Sequence, residues 1–422
     1  MRTFSTRKKL PTATTIEMFA YFCGCIEDFL LKRDLKFASR QKAHHNSQFS
    51  IFNFQLLNDM SFYSRIVRPI LFLFPAERVR NFSLATLRII GGSRLGEWIL
   101  SRIYTYRHPS LEREVFGVRF RNPIGAAAGL DRDARLYRQF GALGFGFVEI
   151  GSLTLKPQEG NPRPRLMRMR RSKALLHRMG EPNCGLEKTI ERLRRRAHGR
   201  KVVVGANLTA PTNTPRDYVL KEYLRPFRSL YQYVDYFTIN FTSLIGVGEE
   251  YTNEERALVE QIFDSLFDFR RGQNEYRPIL LKISPDWSDS QIDDMVRILI
   301  DTPLDGLVVS DSSQQYTGAI TPKEAKRYEG CTLSGAPLLE RTIELIKYVC
   351  SKMDYSYPVI GVGGMMSAED AQRMFDAGAS LVQCYSAMVY EGPAFPSRTC
   401  RKLAAPARAA EKEARKNKKA KQ

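Results

Sequence analysis

Nowhere does the chain approach the roughly twenty consecutive apolar residues that a membrane-spanning helix needs. The longest candidate, residues 16–31, is broken by Glu17, Glu27 and Asp28, which excludes a transmembrane helix. There is no C-x-x-C pair, and the seven cysteines (Cys23, Cys25, Cys184, Cys331, Cys350, Cys384 and Cys400) are odd in number and scattered. That spacing excludes a disulfide framework and a structural zinc site, and it fits a reducing compartment. Cys384, inside an apolar run, reads as a packed core thiol. No G-x-G-x-x-G follows a strand-like run, so a dinucleotide fingerprint is absent. The first sixteen residues carry Arg, Lys, Ser and Thr but no acid, the composition of a mitochondrial targeting segment.

What the chain has in excess is positive charge, +20 over 422 residues. The surplus is local. Residues 1–60 hold nine Lys/Arg against five Asp/Glu, residues 162–201 fourteen against three, and residues 401–422 nine against two. Those three segments more than account for the total, so the body is close to neutral and the signal is one of local partners. RKLAAPARAAEKEARKNKKAKQ, MRMRRSK (167–173) and RLRRRAHGRK (192–201) are candidate contacts for an anionic partner, RNA or lipid. Few aromatics interleave them, so base stacking is not indicated.

The chain divides into a targeting segment and linker (1–60), an amphipathic helical subdomain (61–104), a main domain (105–396) and a basic tail (397–422). Residues 61–104 read as two helices. Phe62, Ile66, Ile70 and Phe74 recur at helical spacing before Pro75; Phe82, Leu84, Leu87 and Ile90 carry the second helix up to Gly91-Gly92. Arginine-flanked and greasy, the pair could lie on a membrane surface or cap the main domain. Beyond residue 120, eight short apolar runs end in Gly, Ser, Pro, Leu or Asp and alternate with helical stretches: 124–129, 145–152, 201–208, 236–243, 279–285, 304–311, 359–364 and 381–386. Eight β-then-α units predict an α/β fold, a (β/α)8 TIM barrel preceded by a short N-terminal helical hairpin.

A barrel places its active site at the carboxyl ends of its strands. Gly361-Val362-Gly363-Gly364 and Tyr385-Ser386 fall there after the seventh and eighth strands, with Ser334-Gly335 shortly before. Bare backbone amides at those loops suit a phosphate. Lys282 interrupts the apolar LLKISP and must meet a ligand or a carboxylate. Asn207 and Asn240 end the third and fourth strands and can orient a flat heterocycle. Together these predict a planar phosphorylated cofactor, flavin mononucleotide (FMN) before a nicotinamide.

NPIGAAAGLDRDA (122–134), GALGFGFVEIGSLTLKPQEGNPRPRL (141–166), HRMG (177–180), KISPD (282–286), LSGAPL (333–338), PVIGVGG (358–364) and GASLVQCYSA (378–387) resemble the dihydroorotate dehydrogenases. FYSRIVRPILFLFPAERVRNFS (62–83) is similar to the helices of their membrane-associated, quinone-using class. The resemblance implies that dihydroorotate is oxidised to orotate, a step of pyrimidine biosynthesis, through FMN and a quinone at the inner mitochondrial membrane surface. It implies an FMN site of Ala128, Gly129, Ser152, Asn207, Asn240, Lys282, Ser310, Gly335, Gly364, Tyr385 and Ser386, and Ser243 as the base that takes a proton from carbon five. The substrate would meet Arg132, His177, Arg178, Met179, Gly180, Asn240, Asp311 and Ser312. No metal is implied.

The substrate shell departs from the family pattern. His177, Ile245 and Asp311 stand where it has asparagine, Leu244 where it has proline, Glu181 where it has phenylalanine, and Arg132 where it has lysine. Each buried ligand group left unpaired costs about 1–3 kcal/mol. Two further readings share these residues. One is a flavoprotein of the same fold acting on another small molecule; the other is a catalytically degenerate paralogue kept as a scaffold in an RNA-rich mitochondrial assembly.

Overall fold

The eight apolar runs close on one another. In the computed structural model, which describes residues 63–196, 202–245, 252–316 and 318–420, a hairpin of β1 (Arg113–Val115) and β2 (Val118–Phe120) leads into the barrel. The barrel strands are β3 (Ile124–Asp131), β4 (Phe147–Leu153), β7 (Val203–Leu208), β8 (Tyr236–Asn240), β9 (Ile279–Ile283), β10 (Gly306–Val309), β12 (Val359–Val362) and β13 (Leu381–Cys384). They pair in that order, all parallel, and β13 returns to β3. This is the (β/α)8 barrel that the alternation predicts. The targeting segment and linker expected over 1–60 lie outside the described residues.

Side chains fill the barrel. At its amino-terminal end Phe147, Tyr236, Leu280, Val308, Ile360 and Leu381 pack with Val115 and Phe120 of the hairpin, which stoppers the base. Phe120 and Phe147 meet edge to face at 5.2 Å. Room for the rings comes from glycine: a Cβ on Gly125 would collide with the Phe147 ring, and one on Gly205 with the Tyr236 ring. The hairpin escaped the sequence reading because three-residue strands carry too little periodicity. So did a three-stranded antiparallel sheet of β5 (Leu166–Met169), β6 (Ala174–His177) and β11 (Thr332–Gly335), which brings His177 opposite Thr332.

The N-terminal region holds three helical segments where two were expected. Tyr63–Val67 runs on into Arg68–Leu71, α1 spans Ala76–Ile90, and α2 spans Arg94–Tyr104. Gly91-Gly92 ends α1, and the Ser93 side chain caps α2 by accepting from the Gly96 amide at 3.0 Å. No helix among the described residues is long and apolar enough to cross a membrane. The described cysteines are unpaired, and Cys384 is buried.

Much of the basic stretch 162–201 is spent inside the fold. Arg165 pairs with Glu77 of α1 at 3.0 Å and Lys173 with Glu391 at 2.9 Å; Arg168 lies 4.3 Å over the Phe72 ring. The C-terminal segment is helical over Ala405–Ala420 and mostly exposed, with Glu411 3.5 Å from His108.

Candidate active site

The pairing of β3 with β4 shifts register between Ala126 and Asp131, and that of β4 with β7 between Ile150 and Leu153, toward the carboxyl ends of the strands. Residues 127–130 of β3 thereby have no paired partner on β4. A cavity of about 400 Å³ opens there, roofed by β6 and β11. Of the expected cofactor residues, Ala128, Gly129, Ser152, Asn240, Lys282, Gly335, Gly364, Tyr385 and Ser386 line it. So do the expected substrate residues Arg132, His177, Arg178, Met179, Gly180, Asp311 and Ser312.

Three expected residues are not among those that line it. Asn207 is fully buried; it accepts from Ser152 Oγ at 2.7 Å and donates to Glu149 at 2.9 Å, so it orients the serine. Ser310 Oγ donates to the Val362 carbonyl at 3.2 Å and lies 3.3 Å from Thr342 Oγ1. Ser243 Oγ donates to the Ala210 carbonyl at 2.7 Å and sits 3.1 Å from Thr209 Oγ1; its neighbour Thr242 lines the cavity instead.

The cavity holds charge of both signs. Lys282 does meet a carboxylate: its Nζ is 3.0 Å from Asp311 Oδ2. Arg132 enters from a loop that Asp131 fixes by accepting from the Arg135 and Leu136 amides at 2.8 and 2.7 Å. Arg132 Nη1 is buried and has no hydrogen-bond partner, a donor waiting for an acceptor. Burial, and then Arg132, bring His177 down to about 4, so its ring is neutral at pH 7. Burial pushes Glu181 up to about 7, with Arg132 opposing and Asp311 adding to the rise. For Tyr385, burial acts upward, but Arg80 and Arg132 beside it bring the phenol below its ordinary value.

Several site residues were missed in the sequence. Glu149 lies wholly inside the barrel on β4, accepting from Asn207, Tyr236, Thr238 and Gln383 at 2.8 to 3.2 Å. Its signal was the one used for Lys282, a lone charge in an apolar strand. Arg80 of α1 reaches the Gly129 carbonyl at 3.2 Å and the Tyr385 hydroxyl at 3.4 Å. Nothing in an amphipathic helix marks that contact. Glu181, at φ +55°, was singled out in sequence only as a departure from the pattern, yet its side chain lines the cavity.

An all-parallel closed barrel with a polar, arginine-bearing cavity at the strand ends defines a barrel enzyme that takes a small anionic ligand. The family model for dihydroorotate dehydrogenase matches residues 110–406. The chain belongs to the dihydroorotate dehydrogenase family. It is 36% identical over 332 residues to a dihydroorotate dehydrogenase (quinone) of Christiangramia forsetii, covering 79% of this chain and 96% of the relative. It is 35% identical over 335 residues to that of Stenotrophomonas maltophilia, covering 79% and 93%. The ligand-free dihydroorotate dehydrogenase structure from Eimeria tenella superposes with a TM-score of 0.66 at 27% identity, covering 74% of this chain and 93% of that one. The scaffold reading finds no favour in these relationships.

Proposed function

We propose that this protein oxidises dihydroorotate to orotate at the strand-end cavity, using bound FMN and passing the electrons to a quinone. The observation that carries the reading is the convergence of Gly129, Asn240, Lys282, Gly364 and Tyr385 on one cavity in a chain of this family. The residues present fit a flavin phosphate. Gly363 and Gly364 hold φ of +128° and +80°, and a Cβ at Gly363 would come 2.5 Å from Thr342 Oγ1. The backbone there is bare, beside the starts of helices Leu339–Lys352 and Ser386–Tyr390, which suits an anion.

When bound, FMN would supply a two-electron acceptor for the hydride on carbon six of the substrate. The chain's own residues do the rest. Arg132 Nη1 binds the substrate carboxylate, and Asn240 and Ser312 offer hydrogen bonds to the ring amides. Neutral His177 adds a donor without adding charge. Ser243, next to the cavity-lining Thr242, serves as the proton relay: its hydroxyl takes the carbon-five proton as it releases its own toward Thr209 Oγ1, 3.1 Å away, and on to solvent. Serine is a weak base, so it works by position.

The acid-free first sixteen residues support a mitochondrial location. Exposed Leu73, Ile89, Leu95 and Trp98 support attachment to the inner-membrane surface, where a quinone dissolves. The deciding experiment is the anaerobic visible spectrum of the full chain, supplied with FMN, before and after dihydroorotate. Bleaching of an oxidised flavin band is the expected result. A band that stays oxidised refutes the substrate, and a folded chain without flavin refutes the cofactor.

A further inference from the structure

A second hollow, of about 710 Å³, lies at the other end of the strands. Its walls come from α2, residues 105–107, Arg121 just ahead of β3, the helix Tyr137–Ala142 and Val202 just ahead of β7. Residues that immediately precede barrel strands sit at the amino-terminal end, so this hollow is separate from the cavity at the carboxyl ends.

Five arginines line it, Arg94, Arg102, Arg107, Arg121 and Arg138, against one carboxylate, Glu97. Glu97 is already taken by Arg138 at 2.7 Å. Arg121 is committed to the carbonyls of Gly141 and Phe145. Burial, and then the charge of Arg107, bring its guanidinium down to about 10. Among the described residues, Arg94, Arg102 and Arg107 have no carboxylate partner, and Arg138 Nε is buried without a hydrogen bond. The basic stretch around Arg165 and Lys173 is neutralised inside the fold; this cluster is not. Like charges gathered around a hollow raise its potential, and guanidinium forks match phosphate oxygens.

We propose that this cleft binds a phosphate-bearing anion, gripped by Arg102 and Arg107 at the rim and by Arg138 within. A soluble phosphate ester and the headgroup of an anionic phospholipid share that chemistry. The inference does not depend on which substrate the barrel oxidises.

The chain supplies its own reporter. Of its two tryptophans, Trp287 is buried at 2% exposure, while Trp98 lines the cleft at 60%. The full chain is titrated with inorganic pyrophosphate and, separately, with phosphatidylglycerol or phosphatidylcholine vesicles, and tryptophan emission is followed. A saturable shift with pyrophosphate assigns a soluble ligand. A shift confined to phosphatidylglycerol vesicles assigns a lipid headgroup. In either case Arg102→Glu with Arg107→Glu weakens binding about a hundredfold, roughly tenfold for each charge-assisted hydrogen bond removed. Lys347→Glu, on the exposed side of a distant helix, leaves it unchanged. Both rim arginines are exposed, so far-ultraviolet circular dichroism should stay that of the parent. No saturable response to any probe, or an equal response in the folded double variant, overturns the proposal.

Discussion

Asp311 places a negative charge 3.0 Å from Lys282 in a cavity proposed to take an anionic substrate. The carboxylate satisfies the lysine but repels the incoming ligand. Asp311→Asn should therefore lower the KM for dihydroorotate, by about tenfold for one like-charge repulsion removed. Steady-state kinetics decides, and a KM that rises would show that the ion pair shapes the site. Glu181 is a second carboxyl with a pH signature. Its folded value of about 7 lies above its ordinary 4.5, so the folded chain holds this proton longer than the unfolded one. Stability from this group falls as pH rises from about 4.5 to about 7 and is level above. His177 runs the opposite way: held down to about 4 from 6.5, it makes stability fall as pH drops through that window. Glu181→Gln should match the parent in stability near pH 4.5 and exceed it above pH 7 by of order 1–3 kcal/mol, seen as a higher Tm. Equal melting at both ends of that range would contradict the burial of this carboxyl.

Among the elements, the loop after β12 leaves no room for a side chain at Gly364. A Cβ on Gly364 would collide with the backbone nitrogen of Leu339, in a conformation (φ +80°) that side chains rarely adopt. Gly364→Ala should lower stability by about 1–3 kcal/mol and strip flavin from the purified protein, read as Tm and as flavin absorbance per chain. Retention of full flavin would mean that the phosphate sits elsewhere. The N-terminal helices pose a different question, since Leu73 and Ile89 are more than three-quarters exposed. Changing both to aspartate leaves the core intact, so Tm should hold while co-sedimentation with liposomes drops severalfold. Unchanged pelleting would separate α1 from the membrane.

For the whole molecule, Glu149 ties β4 to β7, β8 and β13 across the barrel interior through four accepted hydrogen bonds. Removing one carboxylate would orphan donors on three other strands, each costing about 1–3 kcal/mol. Glu149→Ala is thus expected to be destabilised by about 3 kcal/mol or more in urea unfolding, with Glu149→Gln affected less because the amide keeps one acceptor.

The order of strands, the glycine loops and the lone Lys282 were legible because each leaves a local mark: a period, a bare turn, a charge among aliphatics. Eight alternating units leave few ways to bury every apolar strand, and closure is the one adopted, so the sequence by itself determined the barrel and most of the residues that reach its mouth. Only the tertiary structure decided that Lys282 spends its charge on Asp311, that Asn207 is buried behind Ser152, that Arg80 of α1 reaches the Tyr385 hydroxyl, and that five arginines from four segments share one hollow. Those are meetings between residues far apart in the chain. Their distances depend on packing and register, to which composition and periodicity are blind.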